Sequence, residues 1–159
     1  MLQNEVTPKF RTNLGVIFMA KLYFVKNPYS VLVNSNNEIL LQKRSDFKRW
    51  SLPGEALEFG KSAEDACKRE FREETGLEVT VKNLLGVSTN QIQHYPNGDI
   101  AQAVVISFVV EKAREVTQEL SSETLDLKYF KSTKLPPIFN QQHQTIIEQF
   151  YAGTFPFYN

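Results

Sequence analysis

Three glutamates and one arginine lie close together in the middle of this chain. Glu70, Glu73 and Glu74 directly follow Arg69, at spacings of three and four residues. On a helix this spacing places the carboxylates on one side, where like charges repel by roughly 0.2–0.5 kcal/mol per pair. Arg69 can screen one pair, and a hard divalent cation with oxygen ligands would hold the whole cluster. The alternative, left open by composition alone, is an ordinary solvated helix face.

The residues around this cluster predict a helix with defined ends. Ser62 is suited to the N-cap, and Gly76 is suited to the position just past the last turn. Apolar residues recur at helical spacing and form a stripe: Ala63, Ala66, Cys67 and Phe71. The phase of this stripe predicts that Phe71 and Cys67 are buried and that Glu73 faces solvent.

The helix and the loop before it resemble the Nudix box of the Nudix hydrolases. The family pattern is Gly, five residues, Glu, seven residues, Arg-Glu, a bulky apolar residue, any residue, Glu-Glu, any residue, Gly and a bulky apolar residue. Residues 69–77, REFREETGL, match its second half at every position. In the first half, the pattern's Gly falls on Glu55 and its Glu falls on Lys61. The resemblance is most specific over residues 50–77.

This resemblance implies a fold and an activity. The expected fold is α/β, a Nudix-type α/β/α sandwich with a mixed sheet. The expected reaction is metal-dependent hydrolysis of the pyrophosphate in a nucleoside diphosphate linked to another group. The implied cofactor is Mg²⁺ or Mn²⁺, since carboxylates are hard oxygen ligands, and the implied partner is a small-molecule nucleotide.

The resemblance also implies roles for five residues. Glu73 and Glu74 are expected to be metal ligands, and Glu70 is expected to be a ligand or the general base. Arg69 would orient the carboxylates through charge-assisted hydrogen bonds. Glu123 matches an acidic position near the start of a late family strand, which makes it a candidate for water activation.

The two departures from the pattern define the alternative function. Lys61 places a cation where the family has a carboxylate, and Glu55 restricts the backbone where the family has glycine. Activity is therefore expected to be reduced, unless Glu55 pairs with Lys61 or replaces the missing carboxylate. The alternative is a catalytically impaired Nudix domain that binds a nucleotide as a sensor or regulator.

Composition and charge limit the classes of protein to which this chain can belong. The 159 residues suit one domain, and 18 basic residues balance 18 acidic ones, so no overall charge favours nucleic acid or a membrane surface. A single cysteine, Cys67, excludes an internal disulfide, and its place on the apolar stripe predicts a core residue. His94 and His143 show no metal-ligand spacing. The apolar residues 14–25 are too few to span a bilayer, and a cytoplasmic protein is expected.

Patterning along the chain predicts the other elements. Residues 1–28 are expected to form an extension that packs on the core, with a short helix or a strand, and residues 29–159 are expected to form the Nudix domain. The predicted strands and closing helix are a hairpin of 29–33 with 38–43, strands at 78–89, 101–111 and 123–130, and a helix at 141–151.

Loops are predicted at 91–99 and at 112–122. Tyr95 lies in the first of these, either at a hairpin tip, which is the simpler interpretation, or at a position where some relatives stack a ring. The aromatic residues 155–158 either cap the core or meet a partner, and a homodimer is one form that such a contact can take.

Overall fold

The structure is a computed structural model, which describes residues 24–54, 57–58, 60–94, 100–116 and 120–159. Within these residues the elements follow in this order: β1 (Phe24–Val31), β2 (Ile39–Arg44), β3 (Trp50–Ser51), α1 (Ala63–Thr75), β4 (Leu77–His94), β5 (Ile100–Glu115), β6 (Thr124–Phe130), a 3₁₀ turn (Ser132–Lys134), α2 (Gln141–Ala152) and β7 (Phe157–Tyr158). Neither α1, with 13 residues, nor α2, with 12, has the length and apolar character to cross a membrane.

The strands form two neighbouring sheets. In the larger sheet the order is β1-β5-β4-β7, with β1 parallel to β5, β5 antiparallel to β4, and β7 parallel to β4. The smaller sheet, β3-β2-β6, is antiparallel. The larger sheet is therefore mixed, as expected.

Each helix covers one face of these strands. Successive side chains of a strand point to opposite faces, and here both faces are apolar. Phe71 of α1 packs in a core cluster with Leu32 and Leu40, whereas Ile146 of α2 packs in a second cluster with Val31. The prediction of an α/β/α sandwich is confirmed by this layering and by the neighbours described below.

Strands β4 and β5 are longer than predicted, which corrects two loop assignments. Residues 91–94 belong to β4, and residues 112–115 belong to β5. Polar residues such as Gln91, opposite Ala103, remain in the ladder because antiparallel pairing satisfies the backbone whatever the side chains. Tyr95 lies outside the described residues.

The predicted hairpin of 29–33 with 38–43 is only partly formed. Its turn is closed by the Val33–Ile39 bridge and by Leu40 N, which donates to Leu32 O at 2.9 Å. Beyond this point the strands separate, because β1 pairs with β5 while β2 pairs with β3 and β6. Residues 24–28 are part of β1, and the predicted extension over 1–23 lies outside the described residues.

The aromatic tail caps the core with one of its residues. Phe157 is only 9% exposed and belongs to the core cluster on the α2 side. It lies against Gly86 of β4, where an added Cβ would come within 2.4 Å of the Phe157 ring. Tyr158, next to it, is 84% exposed.

Candidate active site

Helix α1 begins and ends where the sequence predicts. The Ser62 hydroxyl accepts a hydrogen bond from Asp65 N at 3.1 Å, which is the usual N-cap interaction. Gly76 follows the last turn with φ of 68°, and its N–H donates to Arg72 O at 2.9 Å. These two caps define the ends of α1, whereas the apolar stripe with Cys67 and Phe71 decides which side of the helix packs on the strands.

The predicted phase of α1 is confirmed, but the three carboxylates differ in exposure. Phe71 and Cys67 are fully buried, and Glu73 is exposed. Glu70 and Glu74 are 7% and 2% exposed, so both are turned against the rest of the protein. Of the three carboxylates on this side of α1, two are therefore buried and only that of Glu73 is exposed.

Glu74 is held by the backbone just before the loop. Gly54 N donates to Glu74 Oε2 at 2.7 Å, a short bond to a charged acceptor of the strong kind. Gly54 has φ of 134°, and a Cβ there would lie 2.0 Å from Pro28 O. Only glycine fits this place, so the amide that binds Glu74 depends on a close approach to β1.

Arg69 bridges two carboxylates. Its Nη2 lies 2.5 Å from Glu70 Oε1, and its Nη1 donates to Glu58 in the loop. The predicted orienting role of Arg69 is consistent with the first of these contacts. The partnership with Glu58, eleven residues away, was not predicted; its only sequence signal is that Glu58 fits the run of residues usual in the family.

Glu123 lies in the turn just before β6, in an exposed position. The backbone around it connects the end of α1 with the end of β2. Ser121 N donates to Glu73 O at 3.0 Å, and Ser45 N donates to Glu123 O at 2.8 Å. The segment before β6 is therefore bonded to α1 through Ser121 and to the residue after β2 through Glu123, while the role of the Glu123 side chain stays a prediction.

Of the two departures from the family pattern, Lys61 is among the described residues and Glu55 is not. Lys61 is exposed, and its N–H donates to Glu58 O at 3.2 Å. Glu55 lies outside the described residues, so its predicted pairing with Lys61 stays a prediction.

Cys67 is a core residue, as predicted. Its Sγ lies 2.9 Å from Ser30 Oγ of β1. Burial raises the pKa of the thiol to about 11, and the Ser30 hydroxyl only partly opposes that effect. The thiol is therefore neutral at neutral pH and serves packing of α1 on β1.

The donor types around Glu74 fit a divalent cation. Three carboxylates within two turns of one helix supply the hard oxygen atoms that Mg²⁺ and Mn²⁺ bind. Among the described residues, however, no three acidic, histidine or cysteine side chains are already gathered as a metal-binding group. Glu74 is oriented by Gly54 and Glu70 by Arg69, so the chain holds these two donors in fixed positions.

Comparison with known proteins identifies the family. The NUDIX domain model matches residues 26–150, which is most of the chain. The protein therefore belongs to the Nudix hydrolase family.

Two relatives are similar in sequence. An ADP-ribose pyrophosphatase of Methanocaldococcus jannaschii is 32% identical over 122 residues, covering 75% of this chain and 69% of that protein. A putative 8-oxo-dGTP diphosphatase of Bacillus subtilis is 38% identical over 64 residues, covering 40% of this chain and only 43% of the relative.

Two solved structures share the fold. An ADP-ribose pyrophosphatase from Streptococcus suis superposes with a TM-score of 0.61 at 19% identity, covering 84% of this chain and 96% of the other. A Nudix hydrolase from Nitrosomonas europaea gives a TM-score of 0.65 at 19% identity, with 85% and 76% covered. At this identity the likeness concerns the fold alone.

Proposed function

We propose that this protein is a metal-dependent Nudix hydrolase that cleaves the pyrophosphate of a nucleoside diphosphate linked to another group. The observation that carries the proposal is the oriented carboxylate pair on α1, with Glu74 on the Gly54 amide and Glu70 on Arg69. Two carboxylates buried at such a cost in desolvation, and held in fixed orientations, are typical of a functional site.

The proposed roles follow from this placement. Glu73 and Glu74 hold the cation, with Glu70 as a further ligand or as the base that takes the proton of the attacking water. Mg²⁺ or Mn²⁺ would supply neutralisation of phosphate charge and activation of water. Arg69 orients Glu70, and Glu123 is a second candidate for water activation.

ADP-ribose is the first substrate to test, since the Methanocaldococcus relative is named for it. We propose small nucleotides as the partners, rather than nucleic acid or membranes, in keeping with the balanced charge of the chain. A cytoplasmic location and a homodimer are further parts of the proposal; exposed Tyr158, beside β4, is one contact available to a second copy.

The decisive variant is Glu73→Gln, which removes one ligand charge from an exposed position. Turnover of ADP-ribose with Mg²⁺ is expected to fall by about 100-fold or more, the usual size for one electrostatic group in an active site. Glu64→Gln on the same helix is the control, because Glu64 is also exposed and, within the described part of the chain, forms its ion pair with Lys68. Unchanged turnover of ADP-ribose by Glu73→Gln would contradict the proposed role of Glu73 as a metal ligand.

Lys61 favours the alternative of a nucleotide-binding domain without catalysis, because it places a positive charge where the family pattern has a carboxylate. If catalysis is retained but weakened, Lys61→Glu should lower the Mg²⁺ concentration required for half-maximal activity. If the wild type and Lys61→Glu both bind ADP-ribose tightly in calorimetry and neither hydrolyses it, the nucleotide-binding sensor would be supported instead.

A further inference from the structure

A buried histidine of α2 holds the backbone just before Gly54, the residue whose amide is bonded to Glu74. His143 lies in the first turn of α2, is 0% exposed, and accepts a hydrogen bond at Nδ1 from Leu52 N at 3.1 Å. Leu52 is itself 0% exposed and precedes Gly54 by two residues. The bond therefore joins α2 to the segment that enters the catalytic loop.

The rest of this segment, residues 52–54, is bonded to two other elements. Pro53 O accepts from Ser30 N of β1 at 3.0 Å, and Gly54 N donates to Glu74 of α1 at 2.7 Å. Three consecutive residues thus connect α2, β1 and α1. A shift at the first of them would be transmitted within two residues to the amide that orients Glu74.

The charge state of His143 suits this task. Since Nδ1 accepts an N–H, it carries no proton, and the neutral ring is protonated at Nε2. Burial lowers the pKa of His143 to about 3, with a smaller contribution from the positive charge of Arg44. The imidazole is therefore a neutral acceptor throughout the range in which a Nudix enzyme would work.

The ring is also fixed in orientation. It packs against Tyr29 with ring centroids 4.2 Å apart and meets Phe139 edge-on at 5.7 Å. Its backbone N–H is bonded to Asn140 Oδ1 at 3.0 Å, so the cap of α2 sets the position of the residue. Nε2 is buried and has no partner among the described residues. The packing of the ring and the cap of α2 together hold Nδ1 against the Leu52 amide.

We propose that His143 is a positioning residue of the active site, which holds Leu52 and thereby places the Gly54 amide against Glu74. The inference deepens the proposed function and rests on it, because Glu74 is the proposed metal ligand through which His143 acts. His143 itself touches neither cation nor substrate in this account.

Two substitutions separate positioning from packing. His143→Asn keeps an acceptor where Nδ1 stands, because Asn Oδ1 is attached to the same γ atom. His143→Leu fills the space and removes the acceptor. Gln142→Leu is the matched control: it removes a neighbouring polar group that is 6% exposed, in the same helical turn, with no bond to residues 52–54.

The first measurement is the affinity of each variant for Mn²⁺, which is determined from the electron paramagnetic resonance signal of the free ion. His143→Leu should weaken binding by about 10-fold or more, the usual effect of removing a group that supports a metal ligand. His143→Asn and Gln142→Leu should stay near the wild type. Equal effects of all three variants, or none from His143→Leu, would overturn the inference.

The second measurement is hydrogen exchange of the Leu52 and Gly54 amides by NMR, which requires no activity. Both amides should be protected in the wild type and in His143→Asn, and Gly54 should exchange about 10-fold faster or more in His143→Leu. An unprotected Leu52 amide in the wild type would overturn the inference even if His143→Leu did not fold.

The outcomes also separate this inference from the proposed function. A wild-type protein that binds no Mn²⁺ and hydrolyses no nucleotide overturns both. A wild type that binds Mn²⁺ and hydrolyses ADP-ribose, with His143→Leu matching it in both respects, overturns the role of His143 alone.

Discussion

Helices α1 and α2 are built alike at their ends and differ in what they bury. Both begin at a side-chain N-cap, Ser62 in α1 and Asn140 in α2, and both are followed by a left-handed glycine, with φ of 68° at Gly76 and 67° at Gly153. Local signals thus start and stop the two helices in the same way. Their different roles must come from the residues between the caps.

The buried polar residues of the two helices differ in charge. Helix α1 buries Glu70 and Glu74, whereas α2 buries Gln142 and His143. A buried carboxylate is costly unless it is paired and hydrogen-bonded, and both carboxylates have such partners. Neutral groups are cheaper to bury and can be left partly unpaired. In our proposal the chemistry therefore lies on α1, and α2 supports it from the other face.

The largest effect expected from this difference is a dependence of stability on pH at His143. Its pKa is about 3 in the folded protein and 6.5 ordinarily, so between these values the unfolded chain binds more protons. The free energy of unfolding should fall as pH decreases through this range, with a contribution approaching about 1.4 kcal/mol per pH unit. His143→Asn should lose that contribution.

Urea titrations of the wild type and of His143→Asn, at pH values from 7 to 4, measure this contribution to the free energy of unfolding. The carboxylates and the second histidine, His94, are common to the two proteins, so the difference between their curves isolates His143. Parallel curves would mean that the ring is not held neutral by burial.

A smaller effect is expected from removing one buried polar side chain on each helix. Glu74→Leu leaves the Gly54 N–H without its acceptor and should destabilise the protein by about 1–3 kcal/mol. Gln142→Leu removes a buried side chain whose Nε2 has no partner among the described residues, and it should be neutral or stabilising by up to about 1 kcal/mol. Chemical denaturation at pH 7 compares them, and equal losses would remove the distinction between the helices.

The smallest effect on stability is expected at the exposed face of each helix, where two side chains four residues apart interact. Glu64 and Lys68 form an ion pair on α1, whereas Gln144 Nε2 donates to Glu148 Oε1 at 2.8 Å on α2. Lys68→Ala and Gln144→Ala should each cost about 0.2–0.5 kcal/mol at low salt, with similar changes in helix propensity.

Salt distinguishes these two pairs. In 1 M NaCl the ion pair on α1 is largely screened, so the effect of Lys68→Ala should shrink more than that of Gln144→Ala. Urea midpoints at low and high salt provide the test. The same salt response in both variants would show that the charge of Lys68 contributes nothing to α1.

The strands show where sequence patterns fail. The apolar centre of β5 was predicted from its near-continuous apolar run, but its polar end at residues 112–115 was not. Polar side chains on one face of a strand resemble a loop in sequence. Only the partner strand, with Glu78 opposite Arg114, shows that the backbone there is paired.

The sequence by itself determined the bounds of α1, its phase and the family. These depend on residues within a few positions of each other, such as Ser62 with Asp65 and the run at 69–77. Helix caps and side-chain faces are local properties, so spacing is enough to predict them.

Only the tertiary structure decided which carboxylates are buried and what orients them. The Gly54–Glu74 bond spans 20 residues, and the Leu52–His143 bond spans 91. No periodicity relates such positions, because their approach depends on how two helices pack on opposite faces of the same strands. The physical reason is that a buried polar group must find a partner in space, whatever the distance along the chain.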